Sequence, residues 1–295
     1  DRSTNLIKDI KLDAKEIVDR MKQMGIVGLG GAAFPSHVKY MVPEGKKAEY
    51  FIVNAVECEP YLTADYRVMM EYPDEVIVGI QIQMKALGVK QAFIGIENNK
   101  PKAIELMQQK VQNVEGISVV PLKLKYPQGA EKQLINAILG RSVQSGKLPI
   151  DVGCVVDNVG TTLATYYAVQ KNKPLFERVV TVTGSKVGKP SNFMVRVGTP
   201  VLSLLQKAEA NIDETGKAIS GGPMMGKALA TLDVAVAKGT SGILLMSQKE
   251  ANRGNVQNCI RCGKCIEACP MGLSPYLLSA QIHNKAWEAA EATHI

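Results

Sequence analysis

Apolar residues recur along this chain in alternating rhythms, and the alternation predicts most of its architecture. Ile17, Val18, Met21 and Met24 fall at helical spacing within 13–24, and Gly25 follows as a stop. The unbroken apolar run from Tyr50 to Val56 reads instead as a buried strand. Helices are expected over 74–87, 101–112, 130–140 and 161–170, with strands over 91–96, 117–122 and 152–156 between them. Strands alternating with helices of this length imply an α/β fold, a three-layer domain on a largely parallel sheet covering residues 1–175. The rhythm then changes. Arg178–Thr183 is a β-rich run closed by Gly184, and Phe193–Val197 is its partner across a Gly/Pro-rich turn. A short helix near 200–209 and strands near 217–220 and 231–236 complete a small β-rich domain over 176–247. Residues 248–295 turn polar, then cysteine-rich, then helical, with Leu277, Leu278 and Ile282 on one face.

Four of the six cysteines lie in one eleven-residue stretch, Cys259-x2-Cys262-x2-Cys265-x3-Cys269, with Pro270 next. This is the bacterial ferredoxin spacing for a [4Fe–4S] cluster, in which the fourth thiolate ligates the other cluster of a two-cluster protein. Structural zinc more often takes two well-separated CxxC pairs. Cys58 and Cys154 have no partner spacing and are expected to be buried free thiols, as suits a reducing compartment.

At 295 residues, 46% hydrophobic and 21% charged, the composition is that of an ordinary globular protein. No apolar run approaches the roughly 18 residues of a membrane span. The net charge of +7 is spread along the chain, and aromatics are 5% of it. With neither a basic stripe nor a stacking platform, nucleic acid is not an expected partner. The charge suits anionic cofactors, an acidic electron carrier or an anionic membrane face. His37, His283 and His294 have no metal spacing and are assigned no role.

Gly28-Leu29-Gly30-Gly31-Ala32-Ala33-Phe34-Pro35 satisfies a bare dinucleotide pattern, but a helix precedes it where that fingerprint needs a strand. The physics of the loop is still useful, because glycines allow positive φ and close approach to a flat or anionic ligand. Lys39 follows, and then Asn54-Ala55-Val56-Glu57-Cys58-Glu59-Pro60 leaves the expected strand at its carboxyl end, where α/β sheets bind ligands. Asp157-Asn158-Val159-Gly160-Thr161-Thr162 leaves another strand and opens a helix, a start that suits an N-cap or a phosphate.

Stretches 25–40, 54–67, 126–134, 155–162 and 259–273 together resemble RnfC, the peripheral subunit of the membrane-bound ferredoxin:NAD oxidoreductase called the Rnf complex. The first domain is more distantly similar to the flavin-binding, NADH-oxidising subunit of complex I, and 176–247 to a β-grasp domain. The resemblance implies FMN beside Gly28, Gly30, Gly31 and Lys39, with Asn54, Glu57 and Glu59 at the ring edge. Tyr126 and Gly129 would line the nicotinamide side, Phe34 would floor the dinucleotide, and Asn158 and Thr161 would meet phosphate. Complex I has an arginine where this chain has Leu29 and an acid where it has Val56, which predicts weaker NADH binding.

The implied function is exchange of hydride between NAD(H) and FMN, with single electrons passed through [4Fe–4S] clusters towards ferredoxin and an ion-translocating complex. Its place would be peripheral, on the cytoplasmic face of the membrane, with other members of that complex as partners. A related reductase component of the cobalamin or proline type, or an electron-transfer adaptor without a nicotinamide site, is the alternative. The resemblance also implies a lipoyl-like domain ahead of Asp1 and a second cysteine run beyond Ile295.

Overall fold

Asp13 starts the first helix by a reciprocal cap: its carboxylate accepts the Glu16 N–H at 2.8 Å, and Glu16 accepts the Asp13 N–H at 2.8 Å. This helix, α1 (Ala14–Gln23), buries Ile17 and Met21 completely, as their spacing predicts. The computed structural model describes residues 5–252 and 254–293, and His294 lies outside them. Contacts divide the chain into two compact units, 1–251 and 252–295.

In the first unit, α2 (Ser36–Tyr40), β1 (Tyr50–Asn54), α3 (Ala64–Glu71) and α4 (Pro73–Leu87) follow α1. Proline opens α4 at a position needing no N–H, and left-handed Gly88 ends it at φ 66°. Then come β2 (Gln91–Glu97), α5 (Pro101–Val111), β3 (Ile117–Leu122), α6 (Glu131–Leu139), β4 (Cys154–Asn158) and α7 (Val159–Gln170). The four strands are parallel, in the order β3-β2-β1-β4. Phe51 and Val53 pack with Val68, Ile77 and Met107 on one face of the sheet, while Ile52 meets Leu134 and Ile135 of α6 on the other. Burial on both faces explains why β1 reads as an unbroken apolar run, each such side chain contributing roughly 1.5–3 kcal/mol.

A mixed sheet follows, built from β5 (Glu177–Thr183), β6 (Ser191–Arg196), β7 (Thr215–Ser220), β8 (Lys227–Ala228) and β9 (Gly242–Ser247), in the order β6-β5-β9-β7-β8. The helix α8 (Val201–Lys207) buries Val201, Leu204 and Leu205 against it. The expected strand over 231–236 is not formed. Val201 N–H bonds Val234 O at 2.9 Å, Gly198 N–H bonds Val236 O at 2.8 Å, and Val236 N–H bonds Thr199 O at 2.9 Å. Those bonds, with an antiparallel bridge between Pro200 and Ala235, tie the segment to the chain entering α8 and not to the sheet. The central place belongs to β9, whose Ile243, Leu244 and Leu245 are buried. A short helix, α9 (Gln248–Ala251), ends this unit, so both sheets lie in one unit where sequence suggests two domains.

The second unit holds α10 (Lys264–Ala268), α11 (Pro275–His283) and α12 (Trp287–Ala292). Leu278 and Ala290 are its buried apolar side chains, while Ile282 and Trp287 stay exposed. No helix among the described residues is long and apolar enough to cross a membrane.

Candidate functional site

The strand order sets the place of the site. From β1 the chain steps outward to β2 and β3, then returns to lay β4 on the other side of β1. The carboxyl ends of β1 and β4 therefore flank a topological switch point, where open α/β sheets bind ligands. Asn54 and Asn158 close the two strands at the same rung of the ladder. Above them opens a cleft of ≈ 580 Å³, a volume typical of cofactor sites.

One wall of the cleft is the glycine loop. Gly28 N–H bonds Phe34 O at 2.8 Å, and Val27 bridges Pro35, so the loop is a narrow hairpin. Gly31, at φ 123°, is the glycine that needs its freedom; Gly28 and Gly30 do not take positive φ. A Cβ on Gly31 would meet no atom within 4 Å, so a side chain there would stand in open space at the cleft wall. Thr161 fixes the loop from behind. Its hydroxyl accepts Leu29 N–H at 2.9 Å and donates to Val27 O at 3.4 Å. Asn158 caps α7 by accepting Gly160 N–H at 2.8 Å, and its amide donates to Asp65 Oδ2 at 2.7 Å.

The floor is the loop after β1. Asn54 donates to Gly129 O at 2.7 Å and Gly129 N–H reaches Cys58 Sγ at 3.3 Å, which ties the 126–130 segment to this loop. Glu57 holds a left-handed φ of 47°, and its carboxylate accepts Asp65 N–H at 2.7 Å and Tyr66 N–H at 3.1 Å, capping α3 from a distance. Lys100 anchors the same turn from below, donating to Val56 O at 3.0 Å and Glu57 O at 3.3 Å. Burial pushes the Glu57 and Asp65 carboxyls upward; each also feels cationic Lys100, which opposes the shift. Arg178, itself buried and lowered to about 10 by that burial, donates to Leu29 O at 3.1 Å and to Lys238 O. It thereby joins the glycine loop to the second sheet, which supplies the far wall through residues 220–229 and 237–241.

Of the residues singled out from sequence, Gly30, Gly31, Asn54, Glu57, Glu59, Tyr126, Gly129 and Asn158 line this cleft together. Gly28, Phe34, Lys39 and Thr161 do not. Lys39 serves the scaffold beneath, donating to Val156 O at 2.7 Å and Glu131 at 3.0 Å and standing 4.0 Å from Asp157. Asp157 accepts Tyr40 OH at 2.9 Å and Gln83 Nε2 at 3.3 Å, and burial raises its carboxyl to about 6 against the pull of Lys39. Sequence reasoning missed Asp65, Lys100, Arg178 and the glycines of 221–226. Arg178 carries no signal beyond heading an apolar run, and Asp65 sits on a helix the periodicity did not reveal.

The cysteine segment belongs to the second unit. Arg261 at φ 57° and Gly263 at φ 78° turn the chain between the cysteines, and Cys259 Sγ accepts Arg261 N–H at 3.4 Å. Cys259, Cys262 and Cys265 are exposed and Cys269 is half-buried, all as free thiols. Four thiols are a soft donor set suited to iron. Among the described residues no three candidate ligand groups are gathered around one point, so the donor chemistry and spacing, not a formed cage, carry that assignment.

A parallel sheet covered on both faces, with a cleft at its switch point, defines an open α/β fold with a ligand-sized site, and residues 21–167 match the family model described as the Nuo51 FMN-binding domain. The chain belongs with the C subunits of ion-translocating oxidoreductase complexes. It is 51% identical to the C subunit of the proton-translocating ferredoxin:NAD(+) oxidoreductase complex of Clostridium ljungdahlii, over 91% of this chain and 59% of that protein. It is 43% identical to the C subunit of the Na(+)-translocating ferredoxin:NAD(+) oxidoreductase complex of Acetobacterium woodii, over 96% and 64%. The C subunit of the ion-translocating oxidoreductase complex of Rhodobacter capsulatus is 42% identical, over 94% and 53%. The chain thus spans about three-fifths of the length of these relatives. Among solved structures, a crystal structure of NAD+-reducing [NiFe]-hydrogenase in the H2-reduced state shares the fold, with TM-score 0.68 and 21% identity, over 80% of this chain and 47% of that one.

Proposed function

We propose that this chain is the FMN- and NAD(H)-handling part of such an oxidoreductase, passing electrons onward through iron–sulfur clusters to ferredoxin and a membrane complex. The observation that carries the reading is the 580 Å³ cleft at the switch point, glycine-walled and set largely in the segment matching the FMN-binding model. On this reading residues 1–175 hold the flavin, 176–247 form a β-grasp-type companion, and 248–295 carry the clusters.

The residues present fit a flat, anionic cofactor: Gly30 and Gly31 leave one wall without side chains, and Gly129 does so on another. Asn54 and Asn158 would face the cofactor at the strand ends, with Glu57 and Tyr126 beside it. Gly28 and Thr161 would hold the loop that approaches it, while Lys39 keeps β4 in place. Flavin, when bound, accepts two electrons together and releases them singly, with the protein supplying orientation and electrostatics. Cys259, Cys262 and Cys265 would ligate one cluster and Cys269 the other.

Anaerobic stopped-flow mixing of the FMN-loaded full-length protein with NADH tests the reading. Bleaching of flavin absorbance is expected. A flavin that stays oxidised at saturating NADH leaves the electron-transfer adaptor as the function.

A further inference from the structure

The cations of this chain are unevenly placed. Residues 121–148 hold Lys123, Lys125, Lys132, Arg141 and Lys147 against the lone carboxylate of Glu131, so this short stretch carries more than half of the net charge of +7. The carboxylates nearby are already taken: Glu131 by Lys39 at 3.0 Å, Glu49 by Arg141 at 2.6 Å and Asp151 by Lys46 at 2.5 Å. Lys123, Lys125, Lys132 and Lys147 have no ion pair among the described residues. The fold gathers these four on one flank. Lys125 O accepts Gln128 N–H at 3.1 Å, in the turn that leads from β3, an edge strand, to α6 and its second residue, Lys132. The Gln144 carbonyl then accepts both the Lys132 ammonium and the Lys147 N–H at 3.1 Å, which holds the 141–148 loop against the same end of α6. Leu124 and Leu148 stand among these lysines, 64% and 62% exposed. Pro121 lies within β3, so this edge is poorly suited to accept an added strand, and contact here falls to side chains.

We propose that this flank docks a carboxylate-rich face of another protein component of the membrane complex, with Leu124 and Leu148 as apolar anchors and the four lysines as a charged rim. The proposal rests on the reading of this chain as a working part of such a complex. An anionic bilayer offers the same charge but a poorer fit. Interfacial binding uses a continuous apolar helix face, whereas these leucines leave two separate loops. Lys125 also runs directly into Tyr126 and Pro127 on the lip of the cleft, which a bilayer laid on this flank would cover and a protein of limited footprint would not.

The test adds the full-length chain back to the membrane complex prepared without it, in detergent, and follows association and dissociation at low and high ionic strength. The Lys123→Glu, Lys125→Glu, Lys147→Glu triple variant is expected to associate about a hundredfold more slowly at low salt, inside the span of electrostatic steering, and to lose its salt dependence. Paired Leu124→Ser and Leu148→Ser substitutions act on dissociation instead, speeding it by about tenfold. FMN and iron contents equal to the parent's certify the fold of each variant, and glutamine at the same three lysines gives a milder shift in the same direction. A triple variant that rejoins at the parental rate overturns the proposal. If the triple variant joins the complex normally but no longer binds phosphatidylglycerol vesicles, the flank belongs to the bilayer and the protein partner is overturned. A parent chain that does not join the complex at all overturns both the flank and the reading beneath it.

Discussion

In the cleft, groups that touch come from far apart in sequence: Asn54 stands beside Asn158, and Arg178 bonds the carbonyl of Leu29. In the cysteine segment, all four thiols come from eleven consecutive residues, and three of them are exposed. The first kind of site exists only once the sheet is built, and its polar groups are tied to neighbours whose removal would leave buried atoms unpaired. The second kind carries its donors in local spacing and depends little on a scaffold. Damage to the cleft should therefore appear as lost stability and lost flavin together, whereas damage to the cysteines should appear as lost iron alone.

The largest expected effect is Cys262→Ser in the full-length protein. One cluster should be lost entirely by iron analysis and visible absorbance, while flavin content and the unfolding of residues 1–251 stay as they were. Flavin leaving with the iron would break the contrast. Next is Arg178→Met, which leaves the Leu29 and Lys238 carbonyls without their guanidinium donor and takes a buried cation from the neighbourhood of Asp65. Removing one partner of a buried charged network costs roughly 3–5 kcal/mol. Denaturant unfolding should show that loss together with reduced FMN content. A variant as stable as the parent would mean the link between loop and second sheet is dispensable.

A pH series on Asp157→Asn sharpens the same point. Burial raises the Asp157 carboxyl from its ordinary 3.8 to about 6, so between those values the folded state binds more protons than the unfolded one. Its contribution is present in full below pH 3.8 and is lost as pH rises through 6, a loss of roughly 3 kcal/mol by pH 7. The asparagine variant should flatten that decline in stability between pH 4 and 7. An unchanged slope would assign the pH dependence to the Glu57–Asp65 pair, whose carboxyls are shifted in the same direction. The smallest effect is Gly31→Ala, which forces a side chain into φ 123° at a cost of about 1–3 kcal/mol. FMN affinity should fall by about tenfold with it, while Gly30→Ala, whose Cβ meets Asn158 at an ordinary 3.6 Å, should be milder.

How much of this was legible from the residues follows the same division. Strands β1 to β4 and helices α4 to α7 announce themselves, because burial on both faces makes strands uniformly apolar and helices periodic. The 231–236 segment looks like a strand for the same compositional reason, yet its backbone is tied to the chain entering α8. Gly-Ile-Leu-Leu-Met-Ser, the true central strand β9, differs from it only in what lies alongside. The glycine loop and strand-end polar residues are readable as neighbours of one cleft because position in an α/β sheet has meaning. Thr161 and Lys39 bond the glycine loop and the β4 backbone, contacts that their place in the sequence does not announce. Arg178 and Asp65 gain their meaning from contacts across more than ninety residues, Asp65 to Asn158 and Arg178 to Leu29, which no local pattern encodes.

Asn54 and Asn158, on their shared rung, also set a dimension. Neighbouring strands stand about 4.8 Å apart in any sheet. The Cα spacing at this rung is thus a gauge fixed by the backbone, which side-chain substitution in either strand cannot reset. A descendant of this chain could exchange one flat ligand for another by altering the loops above that gauge, and keep the width of the slot unchanged. Inserting a single residue into β4 would have the opposite outcome: every later side chain would swap faces, and Asn158 would leave its rung.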